Sequence, residues 1–388
     1  MYPTGASIEV RNSGDPLRFS SVEPLAGFAI EAARQGEMVK VCTRLALCSD
    51  EPFFHRLVEN FTSVVNHMAE RAGTIVNLHR ADTVLLVLKP DNTAELWVDT
   101  AAVSIQCTVK RCIAAGMPVF DDDIADVTGM AFPHVTISRE DKVLCLFRVD
   151  WRFGFAFDMN LEGKLDVEGF NKTLGTLYRE MRYKHFYDAL SEPAVFDRLL
   201  AAGWFPFAEI IPSEFNKLLH HCEAGFDVGD VEDEILTSFD SVRMQRILQR
   251  WLAKPHFAKK EYLLKAAIAA FENKEPVAVI KILLTEIEGV LNDAHRDANG
   301  GKGARLNGLL AFAEASVERK AGTNTLMFPK AFSRYLREHT FASFDPSGQT
   351  GTASSRHAVG HGAASQVSYT IQRALQAILT LDQLAFYT

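Results

Sequence analysis

The spacing of apolar residues changes period once along this chain, near residues 160–170, and that change sets what each half can become. Ahead of it, short β-branched and aromatic runs are separated by turn residues, which is the pattern of strands. Residues 83–89 are almost continuously apolar, Pro90, Asp91 and Asn92 make a turn, and Leu96 and Val98 alternate with polar neighbours, so a hairpin is predicted. Further strands are expected at 103–109, 132–138, 143–149 and 152–158. In the last of these Phe153, Phe155 and Phe157 share one face, opposite Arg152, Gly154, Ala156 and Asp158. A helix is expected at 52–72, where Phe54, Leu57, Val58, Phe61, Val64, Val65 and Met68 recur at helical steps.

Beyond residue 170 the period is helical. Leu174, Leu177, Tyr178 and Met181 form one stripe, and Phe196, Leu199 and Leu200 begin another that Gly203, Pro206 and Pro212 interrupt. Leu263, Leu264, Ala267, Ile268 and Phe271 mark a third helix. Pro276 suits the first turn of a fourth, continued by Val277, Ile280, Leu284, Ile287 and Leu291. Asn299, Gly300, Gly301 and Gly303 make a connection, and further helices are expected at 306–320, 329–340 and 369–386. The fold class is therefore α+β. A mixed α/β domain with a mainly antiparallel sheet is expected over 1–190, a helical connector over 191–255 and an all-α bundle over 256–388.

A chain of 388 residues suits two domains, and 47% hydrophobic with 23% charged residues excludes a disordered or fibrous polymer. No apolar run reaches the ~18 residues of a membrane helix, and the N-terminal sequence lacks the basic-then-apolar build of a signal peptide. A cytoplasmic protein with no membrane association is expected. Among the six cysteines, Cys42 with Cys48 and Cys107 with Cys112 miss the spacing of zinc or redox motifs, so reduced structural thiols are expected. A net charge of -8 argues against a protein that coats nucleic acid along its whole surface. Between Arg296 and Arg373, however, ten Lys/Arg stand against five Asp/Glu. That surplus suits either a polyanion or an ordinary solvated helical surface.

Several motifs carry little chemistry. Asp121, Asp122, Asp123 and Asp126 lack the alternation of a calcium loop and read as an acidic turn or helix start. His220, His221 and Cys222 have no further zinc ligands nearby. The loop at Gly300, Gly301, Lys302 and Gly303 follows no strand and lacks phosphate-loop spacing. No Gly-x-Ser-x-Gly elbow occurs, and no metal or cofactor is expected.

An arginine separated from a following histidine by four or five intervening residues occurs at Arg179/His185, Arg250/His256, Arg334/His339 and Arg356/His361. Spacing alone does not choose among them. Context favours the last: SSRHAVGHG reads as a helix end closed by Gly362, followed by a loop and a long terminal helix with Ile378, Leu379, Leu381 and Leu384. Together with LLTEIEGVL upstream and AILTLDQL at the end, this stretch resembles a HEPN domain over roughly residues 256–388. Family members with an Arg-x(4 to 6)-His motif are commonly metal-independent ribonucleases of toxin and phage-defence systems. Others are non-catalytic modules that bind nucleotides or proteins. This chain has Ser355 and Gly360 where relatives often carry Asn and a larger residue.

The resemblance implies Arg356 and His361 as catalytic residues, an RNA substrate and a composite site in a homodimer, with an antitoxin or other regulatory partner. The residues suit that chemistry. Histidine ionises near working pH and serves as acid or base, while a guanidinium fork holds two phosphoryl oxygens. On a helix, five residues rise ~7.5 Å and turn ~140°, so one Arg and one His do not converge on one atom without a second copy. His357 and Ser355 are read as RNA-positioning residues. Glu288 is read as a surface or capping residue, with the same cleft as the alternative. Packing alone is the competing reading for the whole group.

Overall fold

The computed structural model describes residues 10–20, 22–343 and 351–388; residues 1–9, which carry much of the N-terminal segment read above, lie outside that set. The chain forms two compact units. One comprises Met1–Cys107, Ala114–Met117 and Val127–Lys184, and the other Thr108–Ile113, Pro118–Asp126 and His185–Thr388. Both helix and antiparallel sheet are present, so the molecule is α+β.

The strands are β1 (Leu17–Phe19), β2 (Phe28–Ala29), β3 (Val41–Cys42), β4 (Arg44–Cys48), β5 (Thr83–Leu88), β6 (Ala94–Val98), β7 (Ser104–Val109), β8 (Ile124–Ala131), β9 (Lys142–Val149) and β10 (Arg152–Asp158). Six of them make one sheet in the order β1-β6-β5-β9-β10-β4, every neighbour antiparallel. The predicted hairpin is β5–β6, with Leu86 opposite Leu96. Helix α1 (Phe54–Arg71) lays Phe54, Leu57, Phe61 and Val65 against Leu86, Leu144, Phe155 and Phe157 on one face. Helix α2 (Val167–Arg182) lays Phe170, Leu174, Leu177 and Met181 against Leu85, Val87, Cys145, Phe147 and Ala156 on the other. Because both faces are covered, Gly154, Ala156 and Asp158 are buried as well as the phenylalanine face.

The strand expected at 132–138 does not form. The strand runs over Ile124–Ala131 instead and pairs with β7 as a separate two-stranded ribbon. Pro133 has no amide proton to give a ladder, which stops the strand at that point. The acidic residues just before β8 form a single 3-10 turn, Asp121–Asp123.

The second unit is helical: α3 (Lys184–Ser191, entering from the first unit), α4 (Pro193–Ala202), α5 (Ser213–Ala224), α6 (Gly229–Ser238), α7 (Ser241–Leu252), α8 (Pro255–Ala258), α9 (Glu261–Glu272), α10 (Pro276–Ala298), α11 (Leu306–Ala321), α12 (Pro329–Tyr335), α13 (Arg356–Gly360) and α14 (Ile371–Tyr387). The long helix expected at 329–340 changes pitch at its end, where Leu336–Thr340 is a π-turn. Helix α14 is buried on all sides, so it is the axis of this unit rather than a surface helix. Its polar residues are satisfied: Gln383 accepts from the Ala208 amide at 2.7 Å, and Asp382 accepts from Trp251 Nε1 at 2.9 Å.

Residues 191–255, expected as a connector, are instead part of the same compact unit as the terminal helices. The non-helical stretch after α4 buries Trp204, Phe205, Phe207, Ile210 and Ile211 in that core, so the prolines there shape an interior segment and not a linker. Among the described residues no helix is long and apolar enough to cross a membrane.

Candidate functional site

Helix α13 is a single turn with both ends closed by its own sequence. Ser355 is the N-cap: its Oγ accepts from the Ala358 amide at 3.3 Å and donates to the Ala342 carbonyl at 3.0 Å. At the other end His361 is the C-cap, and Gly362 follows with φ +69°, a left-handed conformation that glycine takes without a Cβ penalty. The Gly362 amide bonds to the Val359 carbonyl at 3.1 Å and the Ala363 amide to the Ala358 carbonyl at 2.8 Å, which is the paired pattern of a Schellman ending. The flanking chain is pinned by a Gly351–Ala364 bridge and by Ser368 Oγ accepting from the Ala353 amide at 2.9 Å. A short helix held this way presents its side chains from a fixed frame.

Arg356, at the first position of α13, reaches across to α10. Its Nη1 lies 2.5 Å from Glu288 Oε2, and both side chains are about one-third exposed, 32% and 29%. The guanidinium also lies 6.0 Å from the centre of the Phe341 ring. His357 and His361 are exposed, and among the described residues the His361 imidazole makes no hydrogen bond. Ser355, expected to position RNA, is buried with its hydroxyl committed to the backbone, so its place in the fold is that of a helix cap. Glu288, read from sequence as a surface or capping residue with the same cleft as the alternative, is the partner of Arg356. The signal was its place four residues after Leu284 and three before Leu291, both buried in α10, which sets it on the border of that helix's apolar stripe.

In the other three Arg/His pairs the arginine is likewise engaged, and in two of them the histidine is hydrogen-bonded as well. Arg179 is buried and donates to the Val127 carbonyl at 2.5 Å. Arg250 is paired with Asp382 at 2.7 Å, and His256 bonds Thr388 Oγ1 at 2.6 Å. Arg334 pairs with Asp197 at 2.6 Å and Glu338 at 2.8 Å, while His339 Nε2 receives Arg373 at 3.1 Å. The acidic run is likewise occupied: Asp122 accepts from Ser213 Oγ at 2.8 Å, Asp123 from Arg111 Nη2 at 2.6 Å, and Asp126 from Thr325 Oγ1 at 2.5 Å. Among the described residues no three His, Cys, Asp or Glu side chains gather as metal ligands.

Two buried polar clusters were not legible in the sequence. Glu209 sits in the core of the helical unit and receives Arg243 at 3.0 Å, Arg250 at 2.6 Å and also Arg246. Burial pushes its carboxyl up, but Arg250, with Arg243, Arg246 and Lys110, outweighs that and holds it down at about 2. Lys110 Nζ donates to the Ile211 carbonyl nearby, and burial lowers its pKa to about 8. In the second cluster His339 stacks on Tyr335 with ring centres 4.9 Å apart. Burial, and then the Arg373 charge, lower its pKa to about 3. The only sequence signal for the first cluster is a glutamate embedded in the apolar run from Trp204 to Pro212.

A scan against protein-family models, a search of curated proteins and a search of solved structures each found no match. The chemistry of α13 therefore stands on its own residues.

Proposed function

We propose that this chain is a cytoplasmic, metal-independent endoribonuclease of the toxin or phage-defence type. In this reading the helical unit is HEPN-like, and the α+β unit senses a trigger or restrains cleavage, alone or with an antitoxin-like partner. The observation that carries the proposal is the exposed His361, free of hydrogen bonds among the described residues, on the same capped turn as Arg356. Five residues of helix separate the two by ~7.5 Å of rise and ~140° of turn, so one copy supplies no converging acid, base and clamp. Two copies related by a two-fold axis along α13 supply two histidines and two arginines to one groove.

The reaction follows from those groups. One His361 takes the proton of a ribose 2′-OH as that oxygen attacks the adjacent phosphorus. The P–O5′ bond breaks, and the second His361 gives its proton to the departing 5′-oxygen, leaving a 2′,3′-cyclic phosphate and a 5′-hydroxyl. Arg356 stabilises the negative charge that builds on the phosphoryl oxygens. Purified protein incubated with total RNA is expected to yield cyclic-phosphate ends with or without EDTA. His361→Ala is expected to lose at least about 100-fold in rate. Cleavage that survives the substitution and disappears in EDTA overturns the proposal.

The Arg356–Glu288 ion pair favours a second reading, a non-catalytic HEPN-type module that binds a nucleotide or partner and uses Arg356 to hold α13 on α10. On that reading Arg356→Ala lowers the melting temperature and wild type has no turnover to lose.

A further inference from the structure

We infer that Glu288 is a positioning residue for Arg356, fixing the guanidinium while leaving its second edge to a phosphate of single-stranded RNA. The inference rests on the ribonuclease reading. Its basis is the juxtaposition of a carboxylate on α10 with the first residue of α13. Helix α10 runs 23 residues and is anchored by Val279, Ile280, Leu283, Leu284, Ile287, Val290 and Leu291 in the core, so Glu288 projects from a rigid rod. An arginine on a one-turn helix otherwise samples many rotamers, and ordering it during the reaction slows the chemical step.

The pair is made through Nη1, and among the described residues no hydrogen bond is made by Nε or Nη2 of Arg356. Those two nitrogens form the edge of the fork that fits two phosphoryl oxygens. Phe341 flanks the guanidinium from a third direction. A glutamate here has a second, opposing effect: its negative charge repels the incoming phosphate. Orientation and repulsion act on different quantities. Glu288 therefore speeds the chemical step and weakens RNA binding.

That split is the test. In the full-length protein Glu288→Gln removes the charge with little change in helix preference, and Glu288→Ala removes the contact. Binding is read with a single-stranded RNA oligonucleotide in the His361→Ala background, and turnover with His361 intact. Expected are a fall of about tenfold in kcat for Glu288→Ala and a tightening of about threefold in RNA affinity for Glu288→Gln. A structural role alone moves melting temperature and leaves kcat and affinity as in wild type, which overturns the inference. The two levels of the argument fail differently. If Arg356→Ala and His361→Ala both cut RNA like wild type, or wild type does not cut it, the nuclease reading falls and this inference with it. If both are inactive while the Glu288 variants match wild type, only the role of Glu288 is removed.

Discussion

Single residues carry the acid sensitivity of the helical unit. Glu209 has a folded pKa of about 2 against an ordinary 4.5, so the unfolded chain binds its proton first as pH falls. Its contribution is complete above about pH 4.5 and is lost progressively toward pH 2. His339 is depressed from 6.5 to about 3, and its folded form stays neutral while the unfolded form charges. Stability is therefore also lost as pH falls from 6.5 toward 3. Between pH 6.5 and about 5 His339 titrates ahead of Glu209, so His339→Gln is expected to reduce the slope of denaturation midpoint against pH in that interval and leave the limb below it intact. Glu209→Gln leaves Arg243, Arg246 and Arg250 facing a neutral group and is expected to cost about 3 to 5 kcal/mol in urea denaturation. At this scale the sequence singled out Arg356 and His361 as candidates, because their context is local. It did not announce the partners of Glu209 or the Glu288–Arg356 pair, because neither is a local contact: Glu209 meets three arginines of α7, 34 to 41 residues on, and Arg356 meets a side chain of α10.

Elements were more legible than their junctions. Strand β10 lies where alternation placed it, and α1 and α10 follow their apolar stripes. The miss at 132–138 shows that alternating composition is not enough when a proline removes a ladder donor. Helix α13 is too short to persist by propensity, so its caps set its population. Gly362→Ala forces a Cβ into φ +69° and Ser355→Ala removes the N-cap acceptor; each is expected to cost about 1 kcal/mol and to speed amide exchange at Val359 and His361 before it changes global unfolding. In the first unit the limit is space. A Cβ on Gly175 lies 2.3 Å from Gly129 Cα, so Gly175→Ala must push α2 off β8 and is expected to destabilise by about 1 to 3 kcal/mol in a chemical denaturation curve.

For the whole molecule, composition and period gave an α+β chain of two units but misplaced the division. A boundary near residue 190 ignores that Thr108–Ile113 and Pro118–Asp126 belong to the helical unit. Lys110 bonds Ile211, the Lys110 carbonyl receives Arg250, Asp122 holds Ser213 and Asp126 holds Thr325 and the Leu326 amide. No local pattern encodes such an insertion, since each contact spans about a hundred residues or more of sequence. Residues 185–388 expressed alone leave those groups unmatched, and their melting temperature is expected to fall by several degrees, on the order of 5 °C, below the helical transition of the full chain. Equal midpoints would mean that the inserted strands add nothing.

That insertion also fixes an order of events during synthesis. Residues 108–126 leave the ribosome long before Ile211, Arg250, Thr325 and Asp382, the side chains and carbonyls that eventually receive them or close around Glu209. Lys110 and Asp122 wait in water for 101 and 91 further residues before their partners are made, and Asp126 for 199. Maturation of the helical half is thereby tied to a segment translated early, and a chain that stalls before residue 382 leaves the central carboxylate knot unfinished.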